Sequence, residues 1–206
     1  MTVALLVSAL TIGLVHALAP DHYLPIAMIA RAKNWNAPKV VAVTLLAGLG
    51  HILSSVVIGG IGLGLGLALT RLKSVEASRG EIAGLLLIGF GVAYAVWGLK
   101  QARRHHLEER TLEAAVTVWV LIAVFVLGPC EPLIPLMFLA MAYGWHAVAL
   151  TTLVFGVATV AVMVVGTVAV FGGASAARLG SFERYNHAIA GGVIAATGLA
   201  VILLGI

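Results

Sequence analysis

Charged residues are scarce in this chain: Asp, Glu, Lys and Arg make up 10% of its 206 residues, whereas 62% are hydrophobic. Soluble globular domains carry about a quarter of charged residues, so a water-soluble domain is excluded. The net charge of +4 comes from basic residues scattered over short segments, without the basic stripe of a nucleic-acid-binding protein. The sequence therefore predicts an integral membrane protein, with the lipid bilayer as a partner and no nucleic acid.

Cysteine and aspartate are almost missing. Cys130 is the single cysteine, which excludes an intramolecular disulfide and any CxxC motif within the chain. Asp21 is the single aspartate, and among the seven glutamates we expect only Glu131 to lie deep in an apolar segment. An ionisable side chain inside a membrane is costly and usually serves function. Asp21 and Glu131 are therefore candidate site residues.

Six apolar runs are long enough, at about 20 residues, to cross a bilayer. We place the spans near residues 2–30, 38–70, 81–99, 115–143, 146–173 and 187–206. Spans 1 and 4 exceed one straight crossing and contain prolines, which remove a backbone donor and free the carbonyl four residues earlier. We expect helices 1 and 4 to be broken at Pro20 and Pro25 and at Pro129, Pro132 and Pro135.

The two halves of the chain resemble each other. LAPDHYLPIAMIA in span 1 parallels LGPCEPLIPLMFLA in span 4, and the glycines of span 3 (84, 91 and 98) match those of span 6 (191, 198 and 205). Three spans per copy force opposite orientations. We predict an all-α integral membrane protein with six transmembrane helices in two inverted three-helix repeats. Residues 1–206 form one transmembrane domain: repeat one 1–100, a cytoplasmic loop 101–113, and repeat two 114–206.

Basic residues predict the orientation. The segments after spans 1, 3 and 5 hold nine Lys and Arg residues, and the other side holds only Arg71, Lys73 and Arg79. Lys and Arg concentrate in cytoplasmic loops, so the side with nine basic residues should face the cytoplasm. We therefore predict a multi-pass protein of the cell (inner) membrane with both termini outside.

The candidate site residues surround the first break. His16, Asp21 and His22 lie in span 1 and His51 in span 2, while Cys130 and Glu131 follow the proline of span 4. On a regular helix His16 and His22 would point about 120° apart, so unwinding at Pro20 is needed for them to converge. Unwinding also offers the carbonyls of His16 and Asp21 as ligands.

Imidazole and carboxylate together suit Ni²⁺, Co²⁺, Zn²⁺ or Fe²⁺ better than Mg²⁺ or Ca²⁺. We therefore predict a divalent transition-metal site. Cys130 and Glu131 are further pathway candidates. Ser54 and Ser55 either bind carbonyls within span 2 or line the pathway.

GLVHALAPDHYLPIA resembles the His, four residues, Asp-His motif of the nickel/cobalt transporter superfamily and its shorter urease-accessory and sulfite-exporter-like relatives. GLGHILSSVVIGG is similar to that family's second-helix motif. The resemblance implies that His16, Asp21, His22 and His51 bind nickel or cobalt. VLGPCEPLIPL falls where the family has an Asp-containing motif, so Cys130 or Glu131 would replace its polar contribution. Its Pro-Cys-x-Pro string is also distantly similar to the transmembrane thiol carriers of cytochrome c biogenesis.

The leading functional prediction is a secondary transporter, not an enzyme, with the metal as substrate and no prosthetic group. Two alternatives stay open: a transmembrane redox or thiol carrier acting through Cys130, and an exporter of a small sulfite-like anion. The sequence leaves a homo-oligomer open.

Overall fold

A computed structural model describes residues 3–103, 111–176 and 184–204 of the chain. Within these ranges the chain forms helices and no β-strand. The eight α-helices are α1 (Val3–Ala17), α2 (Leu24–Ala32), α3 (Ala37–Gly64), α4 (Leu69–Arg103), α5 (Thr111–Leu127), α6 (Leu133–Met141), α7 (Trp145–Ala176) and α8 (Asn186–Leu204). A short 3₁₀ helix, Pro20–His22, lies between α1 and α2. The predicted all-α class is confirmed.

The helices distribute polarity as a membrane protein does. Four of them, α3, α4, α7 and α8, are long and apolar enough to cross a membrane. Their outward faces carry large apolar side chains, such as Leu46, Leu49 and Leu53 of α3, which are more than half exposed. Polar side chains such as Thr44 and Ser55 of the same helix are instead fully buried. This arrangement is the reverse of a water-soluble fold and suits a surface that faces lipid.

Both predicted interruptions are present. α1 ends at Ala17, and the chain passes through the 3₁₀ helix before α2 begins, with Pro25 in its first turn. α5 ends at Leu127, and Pro129 and Pro132 precede the start of α6. With a rise of 1.5 Å per residue, α1 covers roughly 22 Å and α2 roughly 14 Å. Neither piece alone crosses a hydrocarbon core about 30 Å thick, but the two in sequence are long enough.

Two predicted boundaries are wrong. Span 3 was expected to start at residue 81, but α4 begins at Leu69, so the basic segment around Arg79 is helical rather than a loop. Glu76 and Arg79 are three residues apart on one face of this helix and form an ion pair, which helps to stabilise the segment as a helix. The predicted loop 101–113 is also partly helical, since α4 continues to Arg103 and α5 begins at Thr111. Residues 104–110 lie outside the described part.

α4 and α8 touch through their backbones. A Cβ added to Gly91 would lie 2.7 Å from the carbonyl oxygen of Gly191, and one added to Gly191 would lie 2.5 Å from that of Gly91. A Cβ on Gly198 would lie 2.7 Å from the carbonyl oxygen of Gly84. Because Gly84 meets Gly198 and Gly91 meets Gly191, the two helices run in opposite directions. Small residues permit this close approach between apolar helices.

Candidate metal centre

Three histidines from two separate parts of the chain meet inside the helix bundle. His16 is in the last turn of α1, His22 ends the 3₁₀ helix, and His51 is at the middle of α3. The ring centroids are 4.5 Å apart for His16 and His22, 5.1 Å for His22 and His51, and 5.9 Å for His16 and His51. His22 and His51 are each only 3% exposed. The three imidazoles form a compact, largely buried group, which we call the histidine cluster.

The break at Pro20 makes this convergence possible. The amide of His22 donates to the carbonyl of Ala19 at 3.1 Å, as a 3₁₀ turn requires. The turn brings Nε2 of His22 to 3.2 Å from Nε2 of His16, although an uninterrupted helix would point the two rings about 120° apart. The predicted need for unwinding is therefore met by the backbone.

Two imidazoles are held by oxygen atoms behind them. Nδ1 of His22 donates to Oδ1 of Asp21 at 3.0 Å, and Nδ1 of His51 donates to the carbonyl oxygen of Phe125 at 3.2 Å. Carboxylate and carbonyl oxygens only accept, so the hydrogen of each neutral ring is on Nδ1 and Nε2 carries a lone pair. A histidine that binds a metal through one nitrogen usually donates the other to such an oxygen. His22 and His51 are thus oriented as metal ligands are.

The free nitrogen of His51 is unusual. Its Nε2 is buried and has no hydrogen-bond partner among the residues that the structure describes. Leaving a buried polar atom unpaired costs about 1 to 3 kcal/mol, so such an atom needs an explanation. A ligand bound at this nitrogen would supply one.

Asp21 and the carbonyls around the break contribute differently from expectation. Asp21 supports His22 through its hydrogen bond. The group of donor atoms that all lie within 4.8 Å of one another comes from His16, His51 and Cys130 and includes neither Asp21 nor His22. The carbonyl of His16 accepts a hydrogen bond from the amide of Ala19 at 3.2 Å. The expectation that Pro20 leaves this carbonyl free is therefore wrong, because the 3₁₀ turn satisfies it.

Cys130 joins the histidine cluster from the second break. It is fully buried, and its Sγ lies 3.6 Å from Nε2 of His16. One donor atom each from His16, His51 and Cys130 lie within 4.8 Å of one another. The second break thus places its thiol against the imidazoles of the first.

A buried ion pair on α4, which the sequence analysis missed, holds the second break. Glu76 is only 1% exposed and pairs with Arg79. Oε2 of Glu76 accepts the amide hydrogen of Cys130 at 2.9 Å, and Arg79 donates to the carbonyls of Val126 at 2.7 Å and Gly128 at 3.3 Å. Backbone groups on both sides of Pro129 are therefore bonded by side chains of α4.

The two serines of α3 complete this ion-pair network. Ser54 accepts a hydrogen bond from Arg79 at 2.7 Å and donates to the carbonyl of His51 at 2.8 Å. Ser55 donates to Glu76 at 3.2 Å and accepts from Arg79 at 3.2 Å. Both serines therefore bind the ion pair, and Ser54 also satisfies a carbonyl of its own helix, as one of the two alternatives predicted.

Glu131, which was expected to lie deep in span 4, is exposed on the surface of the protein, and its depth in a membrane stays a prediction. The turn after Pro129 places it at a surface cavity of about 400 Å³ that Lys73 and Glu76 also line. The buried acid of this region is Glu76. Its signal in the sequence is the spacing of three residues to Arg79, which is typical of an ion pair on a helix.

A second, small cavity of about 30 Å³ adjoins the histidine cluster. Among the residues that line it are Asp21, His22, His51, Phe125, Gly128 and Pro129. This volume is enough to hold at least one water molecule. The cluster therefore has room beside it for a small ligand.

Comparison of the chain with models of known protein families, with curated proteins and with solved structures found no match.

Proposed function

We propose that this protein is a secondary membrane transporter that carries a divalent transition-metal cation, bound by His16, His22 and His51. The observation that carries the proposal is the convergence of three imidazoles, two of them 3% exposed, inside an apolar helix bundle. Buried ionisable groups in a membrane usually mark a transport pathway. His51 is at the centre of a 28-residue helix, which suits a site near mid-membrane.

We further propose the six-span inverted repeat as the architecture of this transporter. The glycines of span 3 match those of span 6 at an offset of 107 residues, so Gly84 corresponds to Gly191 and Gly91 to Gly198. Exchanging the two halves converts the contact of Gly84 with Gly198 into the contact of Gly191 with Gly91, and both contacts are present. A two-fold relation between the repeats accounts for this reciprocity.

The packing of the other spans agrees with the same relation. α1 of repeat one packs on α7 of repeat two, and α5 of repeat two packs on α3 of repeat one. Here α1 belongs to span 1 and α5 to span 4, while α3 is span 2 and α7 is span 5. If the two repeats exchange places, the contact of α1 with α7 becomes the contact of α5 with α3. The two broken helices then meet near the centre, where inverted-repeat transporters bind their substrates.

Alternating access would follow from rocking of one repeat against the other around the bound ion. The sequence contains no ATP-binding motif, so the energy would come from an ion gradient or a separate partner. No bond of a substrate is broken in this scheme, and the protein is not an enzyme in our proposal.

Uptake into liposomes tests the proposal. Purified protein is reconstituted into vesicles that contain a metal-sensitive dye, and Ni²⁺, Co²⁺ or Zn²⁺ is added outside. We expect uptake by the native protein and by the control variant His146→Ala, which changes an exposed histidine. Uptake by His51→Ala should be at least roughly 100-fold slower because a ligand is lost, and this factor corresponds to about 2.7 kcal/mol. Uptake equal to that of empty vesicles for all three ions, or no effect of His51→Ala, would overturn the proposal.

Binding should also depend on pH. Only neutral imidazole ligates a metal, because a protonated ring has no free lone pair. Calorimetric titration of the native protein should therefore show weaker metal binding once the pH is low enough to protonate the rings. If the protein were instead a thiol carrier acting through Cys130, His51→Ala would leave its activity nearly intact.

A further inference from the structure

Cys130 contacts both apolar side chains and an imidazole. Its thiol is fully buried, 3.6 Å from Nε2 of His16, although 114 residues separate the two in the chain. It packs in an apolar cluster that includes Leu133 and Phe155, and the imidazole nitrogen is the polar atom that it faces. Two features of the neighbouring atoms bear on what this thiol binds.

The first independent observation is the unpaired nitrogen of His51. The ring is 3% exposed, its Nδ1 is held by the carbonyl of Phe125, and its Nε2 has no partner in the described part of the chain. The ring stacks on His16 with an angle of 16° between their planes. A donor atom of His51 lies within 4.8 Å of the donor atoms of both His16 and Cys130. An electron-pair acceptor placed among these three residues would pair this nitrogen.

The second independent observation is the spacing of the donor atoms. In a tetrahedral zinc site with bonds of about 2.05 Å to nitrogen and 2.3 Å to sulfur, two nitrogens are about 3.3 Å apart and a nitrogen and a sulfur about 3.6 Å apart. The structure gives 3.2 Å from Nε2 of His16 to Nε2 of His22, and 3.6 Å from Nε2 of His16 to Sγ of Cys130. Two of the six edges of a tetrahedron, both from His16, are thus already at the required lengths. His22 lies next to His16 but outside the group of His16, His51 and Cys130 whose donor atoms are within 4.8 Å of one another, so its ring would have to close on the ion.

We propose that His16, His51 and Cys130 bind one Zn²⁺, that the ring of His22 closes on the ion to complete a tetrahedral site of three nitrogens and one sulfur, and that this site selects Zn²⁺ over Ni²⁺. This inference rests on the proposed function and specifies Zn²⁺ as the transported metal. Thiolate ligands and tetrahedral geometry favour zinc, whereas sites of nitrogen and oxygen donors serve nickel equally well. Binding replaces the S–H bond of Cys130 by an S–Zn bond and releases the proton to solvent.

The site would join the two halves of the protein. His16, His22 and His51 belong to the first half of the chain and Cys130 to the second, so one ion would bond to both. Asp21 and the carbonyl of Phe125 act as positioning groups behind His22 and His51, because each accepts the hydrogen of the non-ligating nitrogen.

Absorption spectroscopy with Co²⁺ in place of Zn²⁺ tests the inference on the purified full-length protein. A thiolate bound to Co²⁺ gives a charge-transfer band in the near ultraviolet, and tetrahedral Co²⁺ gives intense visible bands. We expect both in the native protein and in His146→Ala, and we expect Zn²⁺ to displace Co²⁺ where equal Ni²⁺ does not. Cys130→Ser and Cys130→Ala should lose the charge-transfer band, and their Zn²⁺ affinity should fall at least tenfold more than their Ni²⁺ affinity.

Each outcome has a distinct meaning. Co²⁺ binding to the native protein without the charge-transfer band would overturn the role of Cys130 and leave the proposed function standing. Displacement of Co²⁺ by Ni²⁺ as readily as by Zn²⁺ would overturn the zinc selectivity. Absence of binding of every metal to the native protein would instead sink the proposed function. The spectrum of the native protein decides the thiolate question even if both cysteine variants fail to fold.

Discussion

The two helix breaks have similar sequences but different surroundings. The break at Pro20 places His16 and His22 against each other, and the side chain that steadies it, Asp21, belongs to the break itself. The break at Pro129 is held from outside, by Glu76 and Arg79 of α4. One break therefore carries two of the three nitrogen donors, and the other is fixed by an ion pair that positions a single thiol. Matching motifs in a repeat can thus take complementary roles when only one of them acquires a supporting helix.

The largest effect should come from removing the support of the second break. Arg79→Ala leaves Glu76 as a buried, unpaired carboxylate and frees the carbonyls of Val126 and Gly128. Breaking a buried ion pair costs about 3 to 5 kcal/mol, so we expect a loss of that size in the free energy of unfolding. Unfolding by SDS in mixed micelles measures it. Arg71→Ala, at an exposed position of the same helix, is the control. Equal stability of the two variants would show that the ion pair does not hold the break.

An intermediate effect should distinguish the acids that follow the two breaks. Asp21→Asn removes the carboxylate behind His22, and losing such a support typically weakens metal binding by about 10- to 100-fold. Glu131→Gln alters an exposed acid at the corresponding place in the second repeat and should change metal affinity by less than about twofold. Calorimetric titration with Zn²⁺ compares them. Equal losses in both variants would mean that the two breaks bind the ion alike.

The smallest effect should come from one bond of the network on α4. Ser54→Ala removes one of several acceptors of Arg79 and should cost about 1 kcal/mol in unfolding free energy, with metal affinity unchanged. Ser78→Ala is the matched control, because Ser78 is exposed and donates to the carbonyl of Ser74 in its own helix. A loss as large as that of Arg79→Ala would contradict the view that Arg79 has several independent partners.

The breaks could be predicted from the sequence because proline acts locally. Pro20 and Pro129 each interrupt an apolar run, and the backbone follows. The contact among His16, His22 and His51 could likewise be predicted, because polar side chains in an apolar helix bundle pack against one another. Their role as metal ligands remains a prediction.

The support of the second break could not be predicted in the same way. Glu76 and Arg79 lie in a segment rich in charge, which is typical of a loop, and only their spacing of three residues indicates a helix. The exposure of Glu131 could not be predicted either, because an equivalent position in a repeat fixes where a residue lies in the chain but not where its side chain points. The contact of Cys130 with His16 depends on how distant helices pack, which no local pattern encodes.

The glycines shared by α4 and α8 restrict how such a protein can move. Two backbone contacts, seven residues or about 10 Å apart along the helix, set the register of the pair. Sliding one helix along the other by a single residue would force a side chain into the space where Gly91 faces Gly191. Rotation about the contact needs no such displacement. In the proposed transporter, α4 and α8 would therefore serve as an axis of rotation, and the ion would stay at one depth while access to it changed from one side of the membrane to the other.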